Sequence, residues 1–167
     1  MVKIGLIRVV SFQDSSMVGL HGRLIEDLYP DLHVVSRCIP NQPKGIYDDE
    51  SENGAIPKIV ALGKEMRAEE KIEALIVSCA ADPGVSELRD LLDIPVIGAG
   101  SAAAAVALTY SDRVGTLGIT EETPARMKRA LGSFLVGEAR PEGVKTTLDL
   151  MEPSGKRKAV DACLLLV

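Results

Sequence analysis

Short apolar segments alternate with amphipathic segments along residues 2–131, and this alternation constrains the fold more than any other feature of the sequence. Apolar runs of four to eight residues are typical of buried strands, whereas apolar residues spaced three and four apart are typical of helices. We predict strands over residues 2–10, 33–36, 74–78, 95–97 and 113–119, and helices over residues 17–28, 55–69, 85–92, 101–108 and 123–131. Strands that alternate with helices in this way form a parallel sheet with helices on both faces, so the predicted class is α/β. Such sheets bind ligands at the carboxyl ends of their strands, where we look for site residues.

Composition and charge exclude several classes of function. The 167 residues suffice for one compact domain and are few for two complete ones. A net charge of −5 and an aromatic content of 3% argue against nucleic-acid binding. No apolar run has the length of a membrane span, so the expected partner is a small molecule and not a membrane. Three cysteines at irregular spacing indicate reduced thiols and a cytoplasmic location.

Metal ligation is not expected from the sequence. There is no Cys-x-x-Cys pair, and His21 and His33 are far in sequence from a cysteine partner. The acidic run 48–50 lies in a predicted loop over residues 38–54 and has two interpretations, a metal or lid loop and a solvated surface turn. Its spacing matches no common ligand geometry, so we favour the surface turn.

The strongest local signal for chemistry is the segment Ser78-Cys79-Ala80-Ala81-Asp82-Pro83-Gly84. A buried strand delivers Cys79 to its carboxyl end, and we predict Asp82 as the N-cap and Pro83 as the first residue of the next helix. The positive end of that helix lowers the pKa of a nearby thiol, whereas the Asp82 carboxylate raises it, so the net direction stays open. The alternative is that Cys79 is a small apolar residue at a strand end, since free cysteine is often buried.

Four further strand-end residues and one neighbour of Cys79 form the predicted substrate-binding set: Arg8, Ser11, Ala80, Ser101 and Thr120. An arginine at the end of the first strand holds a carboxylate or imide oxygen, or else extends to water from the edge of the sheet. Ser101 is expected to cap the next helix, whose amides then bind a ligand oxygen. Thr120 is expected as a helix cap or a ligand contact. Gly98 and Gly100 precede Ser101, but the third glycine and the acidic residue of a dinucleotide-binding motif are missing.

The C-terminal third has a less regular pattern. We predict a helix over residues 156–167 that is still running at its apolar last residues, Leu164 to Val167, and we expect that the chain continues into a segment that covers them. The predicted organisation is a first α/β half over residues 1–110, which carries Cys79, and the start of a second half over residues 111–167.

These strand ends together resemble the aspartate/glutamate/hydantoin racemase superfamily. The matching pieces are Cys79-x-x-Asp82-Pro83-Gly84, Ile94-Pro95-Val96-Ile97-Gly98, Arg113-Val114-Gly115 leading to Thr120, and Thr147-Leu148-Asp149-Leu150-Met151. The Cys-x-x-Asp-Pro-Gly form is closer to the hydantoin/allantoin racemase branch than to the Cys-Asn-Thr form of amino-acid racemases.

The resemblance implies an isomerase that needs neither pyridoxal nor a metal and acts on a hydantoin or an amino-acid-like compound. One cysteine thiolate, here Cys79, removes the proton beside a carbonyl, and an opposite thiol from a second pseudo-symmetric half returns a proton. Backbone amides near the cysteines stabilise the enolate-like oxygen. A homo-oligomer is implied as well.

Three features differ from the family's pattern. The expected second motif of the Gly-Cys-x-Gly-Met type is not in this sequence, and Cys38 and Cys163 lie in a proline-rich loop and among leucines. The first loop is Arg8-Val9-Val10-Ser11 where the family has an Asn-Pro-Asn-Ser-like segment, and Ser101 stands where an acidic residue is often found. Two alternatives therefore remain, a decarboxylase or maleate-type isomerase of the same fold, and a small-ligand-binding domain without catalysis.

Overall fold

Four parallel strands form the first of two sheets in the computed structural model of the chain, which describes residues 1–166. The strands are β1 (Val2–Arg8), β2 (Leu32–Cys38), β3 (Ala74–Ser78) and β4 (Val96–Gly98), and the helices between them are α1 (Ser15–Leu28), α2 (Asp49–Glu69) and α3 (Val85–Leu91). The strand order is β2-β1-β3-β4, so β1 and β3 occupy the centre. Because all four strands are parallel, their carboxyl ends meet at one edge of the sheet.

A second, smaller sheet follows in the chain. It consists of β5 (Val114–Leu117) and β6 (Leu135–Ala139), which are also parallel. The remaining helices are α4 (Ala99–Ala107), α5 (Ala125–Leu131), α6 (Thr147–Met151) and α7 (Pro153–Leu164). Helix α4 leaves β4 directly and contacts α5, so it joins the two sheets through helix packing.

The main core lies between the first sheet and α2. Ile7, Leu75 and Val77 of the central strands are fully buried with Ile59 and Met66 of α2. Each such side chain contributes about 1.5–3 kcal/mol by leaving water. This core fixes the two central strands, and with them the positions of Arg8 and Cys79 at their ends.

The structure confirms the predicted α/β class with a parallel sheet and flanking helices. The first sheet ends at Gly98 and the second begins at Val114. The division into residues 1–110 and 111–167, with an incomplete second half, stays a prediction. The sequence pattern does not predict β6, because its five residues include a glycine and a glutamate and are only partly buried. The predicted helix 156–167 begins three residues earlier, and its last residue, Val167, lies outside the described residues.

The acidic run 48–50 is the start of a helix, so its interpretation as a surface turn in a long loop is wrong. Asp48 is the N-cap of α2, and its carboxylate accepts a hydrogen bond of 2.8 Å from the Ser51 amide. The Ser51 hydroxyl lies 3.0 Å from the Asp48 amide and completes a capping box. Asp49 and Glu50 follow in the first turn, where the helix dipole favours negative charge.

The described chain has neither a membrane-spanning helix nor a cluster of metal-ligating side chains. No helix of the described chain combines the length and apolar character needed to cross a membrane. Among residues 1–166, no group of three or more His, Cys, Asp or Glu side chains is arranged to hold a metal ion.

Replacing Asp48 by Ala should lower the free energy of unfolding, because the Ser51 amide loses its acceptor. The matched control is Asp49→Ala, which removes a charge from the same run but no cap and should cost about 0.5 kcal/mol or less. Urea unfolding followed by circular dichroism measures both. Equal losses, or a calcium-dependent stabilisation that both variants abolish, would contradict the assignment of this run to a helix cap.

Candidate functional site

A cavity of about 310 Å³ lies where the carboxyl ends of β1, β3, β5 and β6 meet. The first sheet contributes Arg8 from β1 and Ser78 with the following loop from β3. The second sheet contributes the segment 116–120 after β5 and the segment 139–141 after β6. Its volume is that of a site for a small molecule.

Cys79 follows β3 directly and lines this cavity with partial exposure. The pKa of the Cys79 thiol is raised to about 11, chiefly by burial; the Glu52 and Asp82 carboxylates also raise it, and a hydrogen bond from the Ala81 amide lowers it. The sequence left the direction of the Cys79 pKa shift open. In the structure the pKa is raised, because the loss of solvent around the thiol outweighs the hydrogen bond from the backbone amide. Near neutral pH, Cys79 is therefore a thiol that can donate a proton, and its conjugate thiolate is a stronger base than an ordinary cysteine thiolate.

Asp82 does not cap α3, which corrects the expectation from the sequence. Gly84 occupies the N-cap position of α3 and makes no side-chain cap. Asp82 instead has a left-handed backbone, is 2% exposed and directs its carboxylate to the start of α4. Its oxygens accept hydrogen bonds from the amides of Gly100 at 2.7 Å and Ser101 at 2.8 Å, and one from the Ser101 hydroxyl.

Two glycines make room for this interaction. A Cβ atom at Gly98 would collide with the Asp82 carboxyl group, and one at Gly100 would collide with the Ala80 carbonyl oxygen. The glycines before Ser101 therefore let α4 approach the Cys79 loop closely. The observed role of these two glycines is to allow this close packing.

Arg8 ends β1 and lies within the cavity wall, with 7% of its surface exposed. Its Nη1 atom donates a hydrogen bond of 2.7 Å to the Met17 carbonyl, and its guanidinium lies 5.2 Å from the centre of the Phe12 ring. Burial lowers the pKa of Arg8, yet an arginine stays charged near neutral pH. The alternative of an arginine that extends to water from the sheet edge is wrong, because β1 is central and the side chain is buried.

His21 also lines the cavity, and the sequence analysis did not identify it as a site residue. Its Nδ1 atom lies 2.7 Å from the Ser78 hydroxyl oxygen, next to Cys79 in the chain. Burial and the Arg8 charge lower the pKa of His21, which keeps its ring neutral near neutral pH. A usable signal was the position of α1 directly after β1, since the helix that follows a strand begins beside that strand's carboxyl end.

The other predicted site residues divide into two groups. Ala80 and Thr120 line the cavity with Cys79 and Arg8. Thr120 caps no helix, and its hydroxyl donates to the Glu122 carbonyl at 2.7 Å. Ser11 and Ser101 do not line the cavity, and their assignment as substrate contacts stays a prediction. The Ser11 hydroxyl bonds to the Ile39 carbonyl in a separate groove, and Ser101 is engaged by Asp82.

The remaining cysteines lie away from the cavity. Cys38 lines the separate groove beside α2, and Cys163 is exposed on α7. Among the described residues, Cys79 is the one cysteine that lines the cavity at the strand ends.

A hydroxyl network supports the wall formed by the second sheet. The hydroxyls of Thr116 and Thr123 lie 2.5 Å apart, and the Thr123 amide donates to the Glu138 carboxylate at 2.9 Å. Thr123 is buried although it is polar. Both threonines line the cavity, so this network fixes the shape of the wall opposite Cys79.

Comparisons with known proteins agree on one family and one fold. The family model described as Asp/Glu/Hydantoin racemase matches residues 20–166. The allantoin racemase from Klebsiella pneumoniae is 19% identical with a TM-score of 0.83, and the alignment covers 99% of this chain and 69% of that chain. The allantoin racemase from Pseudomonas fluorescens is 16% identical with a TM-score of 0.80, covering 99% and 72%. The glutamate racemase from Aquifex pyrophilus is 18% identical with a TM-score of 0.64, covering 96% and 64%. No curated protein matches by sequence.

Alkylation of Cys79 by iodoacetamide should accelerate about tenfold per pH unit above pH 7, because only the thiolate reacts. The rate should level off near the pKa of about 11. Peptide mapping by mass spectrometry follows Cys79 separately from Cys38 and Cys163. A plateau for Cys79 below pH 9 would show that burial does not control this thiol.

Asp82→Asn should lower the free energy of unfolding by about 2–3 kcal/mol. The side-chain NH2 group of asparagine would replace one carboxylate oxygen and would then face the N–H groups of Gly100 and Ser101, which need acceptors. The control is Asp93→Asn, whose carboxylate is 73% exposed and pairs with Arg67 at 2.8 Å. This control should lower the free energy of unfolding much less than Asp82→Asn does, because solvent screens its exposed ion pair. Chemical denaturation compares the two, and equal small losses would mean that the Asp82 contacts do not stabilise the fold.

Proposed function

The chain belongs to the Asp/Glu/hydantoin racemase family, and on that premise we propose that it inverts a stereocentre in a small carbon acid with Cys79 as one acid/base group. The proposed substrate is a hydantoin or an amino-acid-like compound in which the stereocentre lies next to a carbonyl. The observation that carries the proposal is the Cys79 thiol at the end of β3, partly exposed to a cavity large enough for such a molecule.

Family membership confirms the resemblance drawn from the motifs and the isomerase class that it implied. The substrate, the two-cysteine mechanism and the site residues belong to the proposal. So do the homo-oligomer and the cytoplasmic location, which rest on the family resemblance and on the use of cysteine.

The proposed chemistry begins with proton removal by the Cys79 thiolate. The carbon–hydrogen bond breaks, its electron pair moves into an enolate, and the proton ends on sulfur. Protonation of the same carbon from the opposite face gives the other enantiomer and regenerates the carbonyl. In the reverse direction, the Cys79 thiol delivers the proton and becomes the thiolate, so each turnover leaves the enzyme ready for the opposite enantiomer.

The raised pKa of Cys79 fits a base that must act on a weakly acidic carbon. A pKa of about 11 makes the thiolate a better proton acceptor but a rare species near neutral pH, on the order of one molecule in ten thousand. The cavity therefore favours the proton-donor form before substrate binds. Substrate groups and backbone amides of the loop after Cys79 then stabilise the negative charge that develops on the enolate oxygen.

The opposite face needs a second proton donor, which the family resemblance identifies as another cysteine. Cys38 and Cys163 do not line the cavity, so we assign neither to this role. The proposal thus names one of the two acid/base groups, and the exchange experiment below addresses that group alone.

Exchange of the proton at the stereocentre for deuterium tests the proposal. Allantoin, 5-substituted hydantoins, aspartate and glutamate are incubated with the protein in heavy water and followed by NMR. We expect deuterium incorporation into at least one of them, reduced by about 10²–10⁴-fold in Cys79→Ser because the general base is lost. Cys163→Ser is the matched control and should keep the wild-type rate, because that thiol is exposed and does not line the cavity.

Each other outcome of this experiment overturns part of the proposal. Exchange that persists in Cys79→Ser rejects Cys79 as the base. Release of carbon dioxide from any of these compounds, or cis–trans conversion when maleate is supplied in their place, identifies a different reaction of the same fold. Binding without exchange for every compound identifies a ligand-binding domain and rejects the racemase.

A further inference from the structure

Arg8 is a buried cation that faces the Cys79 cavity without an acidic partner. Its 7% exposure is low for a charged residue, and burial of an unpaired charge opposes folding. Among residues 1–166, no carboxylate oxygen lies within the 4.0 Å of a salt bridge to its guanidinium. The Phe12 ring at 5.2 Å offsets part of the charge through a cation–π contact.

Most of the hydrogen-bonding capacity of Arg8 is unused. A guanidinium carries five N–H donors, and Arg8 directs one bond from Nη1 to the Met17 carbonyl. Among the described residues, Ser36 Oγ is the one fully buried side-chain nitrogen or oxygen atom without a hydrogen-bond partner. The Arg8 nitrogens that have no partner are therefore accessible to solvent. Since Arg8 lines the cavity, those nitrogens are available to a bound molecule.

The other ionisable groups of the cavity leave this charge uncompensated. Cys79 and His21 are both neutral near neutral pH, because burial raises the pKa of the thiol and lowers the pKa of the imidazole. Glu122 is exposed and pairs with Lys128 at 3.0 Å. Arg140 is exposed as well and donates to the Thr120 carbonyl. Arg8 is therefore the charged group among the buried residues that line the cavity, and the Asp82 carboxylate behind the Cys79 loop is engaged by Gly100 and Ser101.

We infer that this cavity selects a small substrate that carries a carboxylate, which the Arg8 guanidinium binds through its free donors. The inference rests on the proposed function and narrows its substrate from hydantoins and amino-acid-like compounds to the anionic members. A planar guanidinium matches the two oxygens of a carboxylate, and charge-assisted bonds of this kind are stronger than neutral ones. The same charge also offsets the negative charge of the enolate that forms beside Cys79.

Binding of three small probes tests this inference without turnover. N-carbamoylglycine carries a carboxylate, N-carbamoylglycinamide is its neutral open-chain counterpart, and inorganic phosphate is an anion of different shape. Isothermal titration calorimetry of the wild-type protein should give about tenfold or more tighter binding of N-carbamoylglycine than of the neutral amide. Phosphate should bind more weakly than N-carbamoylglycine.

Variants of Arg8 assign the effect to one side chain. Arg8→Gln should weaken binding of N-carbamoylglycine by about tenfold or more and leave binding of the neutral amide within about threefold. Arg8→Lys keeps the charge but loses the planar guanidinium, so its affinity for N-carbamoylglycine should lie between those of the wild-type protein and Arg8→Gln. Arg129→Gln removes an exposed arginine outside the cavity and should bind all three probes as the wild-type protein does. Circular dichroism checks that each variant is folded.

The outcomes separate this inference from the proposed racemase activity. Equal affinity of the wild-type protein for the carboxylate and its amide overturns the inference, whether or not Arg8→Gln folds. Phosphate binding as tight as that of N-carbamoylglycine overturns the carboxylate assignment. If neutral hydantoins exchange deuterium at the same rate in the wild-type protein and in Arg8→Gln, the carboxylate inference is overturned and the proposed racemase activity stands. Arg8-dependent binding of the carboxylate in a protein that exchanges no substrate supports the inference and rejects the racemase.

Discussion

The buried carboxylate of Asp82 joins the loop after β3, which lines the cavity, to the start of α4. It receives three hydrogen bonds from Gly100 and Ser101, and so provides acceptors for amides at the start of α4 that have no partner within the helix. Hydrogen bonds to a charged and buried acceptor are among the stronger ones in proteins. The loop after β3 is thereby fixed against a helix that also packs against α5, and Cys79 is fixed with it.

This arrangement explains the local sequence around Cys79. Asp82 and Gly84 both have left-handed backbone conformations, which turn the chain sharply between β3 and α3. Gly98 and Gly100 leave the space that the Asp82 carboxyl group and the Ala80 carbonyl occupy. A motif that is short in sequence therefore depends on a partner motif about twenty residues later. The result is a thiol with a raised pKa that lines the same cavity as a buried cation.

The sequence predicts the parts of the structure that depend on local patterns. Alternating apolar and amphipathic segments identify the first sheet, and the strand 74–78 is predicted with the bounds that the structure has. Cys79 and Arg8 follow as cavity residues because the carboxyl ends of parallel strands share one edge. Asp82 is mispredicted because aspartate is a favourable helix cap for the residues that follow it, whereas its actual partners come from another helix. His21 depends on how α1 packs over the strand ends, and no residue pattern within α1 carries that information. The helix predicted over residues 55–69 begins earlier, at Asp49. Its start is mispredicted because an acidic run in a proline-rich segment is also typical of a loop.

Amide hydrogen exchange of Gly100 and Ser101, measured by NMR, tests the role of Asp82 most directly. First-turn amides of a helix normally exchange fast, and Arg126 in the first turn of α5 is an internal reference, because α5 has no side-chain cap. If Asp82 holds the start of α4 as described, Gly100 and Ser101 exchange on the order of a hundredfold or more slowly than Arg126. Exchange of Gly100 and Ser101 as fast as that of Arg126 would contradict the account, because the carboxylate would then not hold the Cys79 loop against α4.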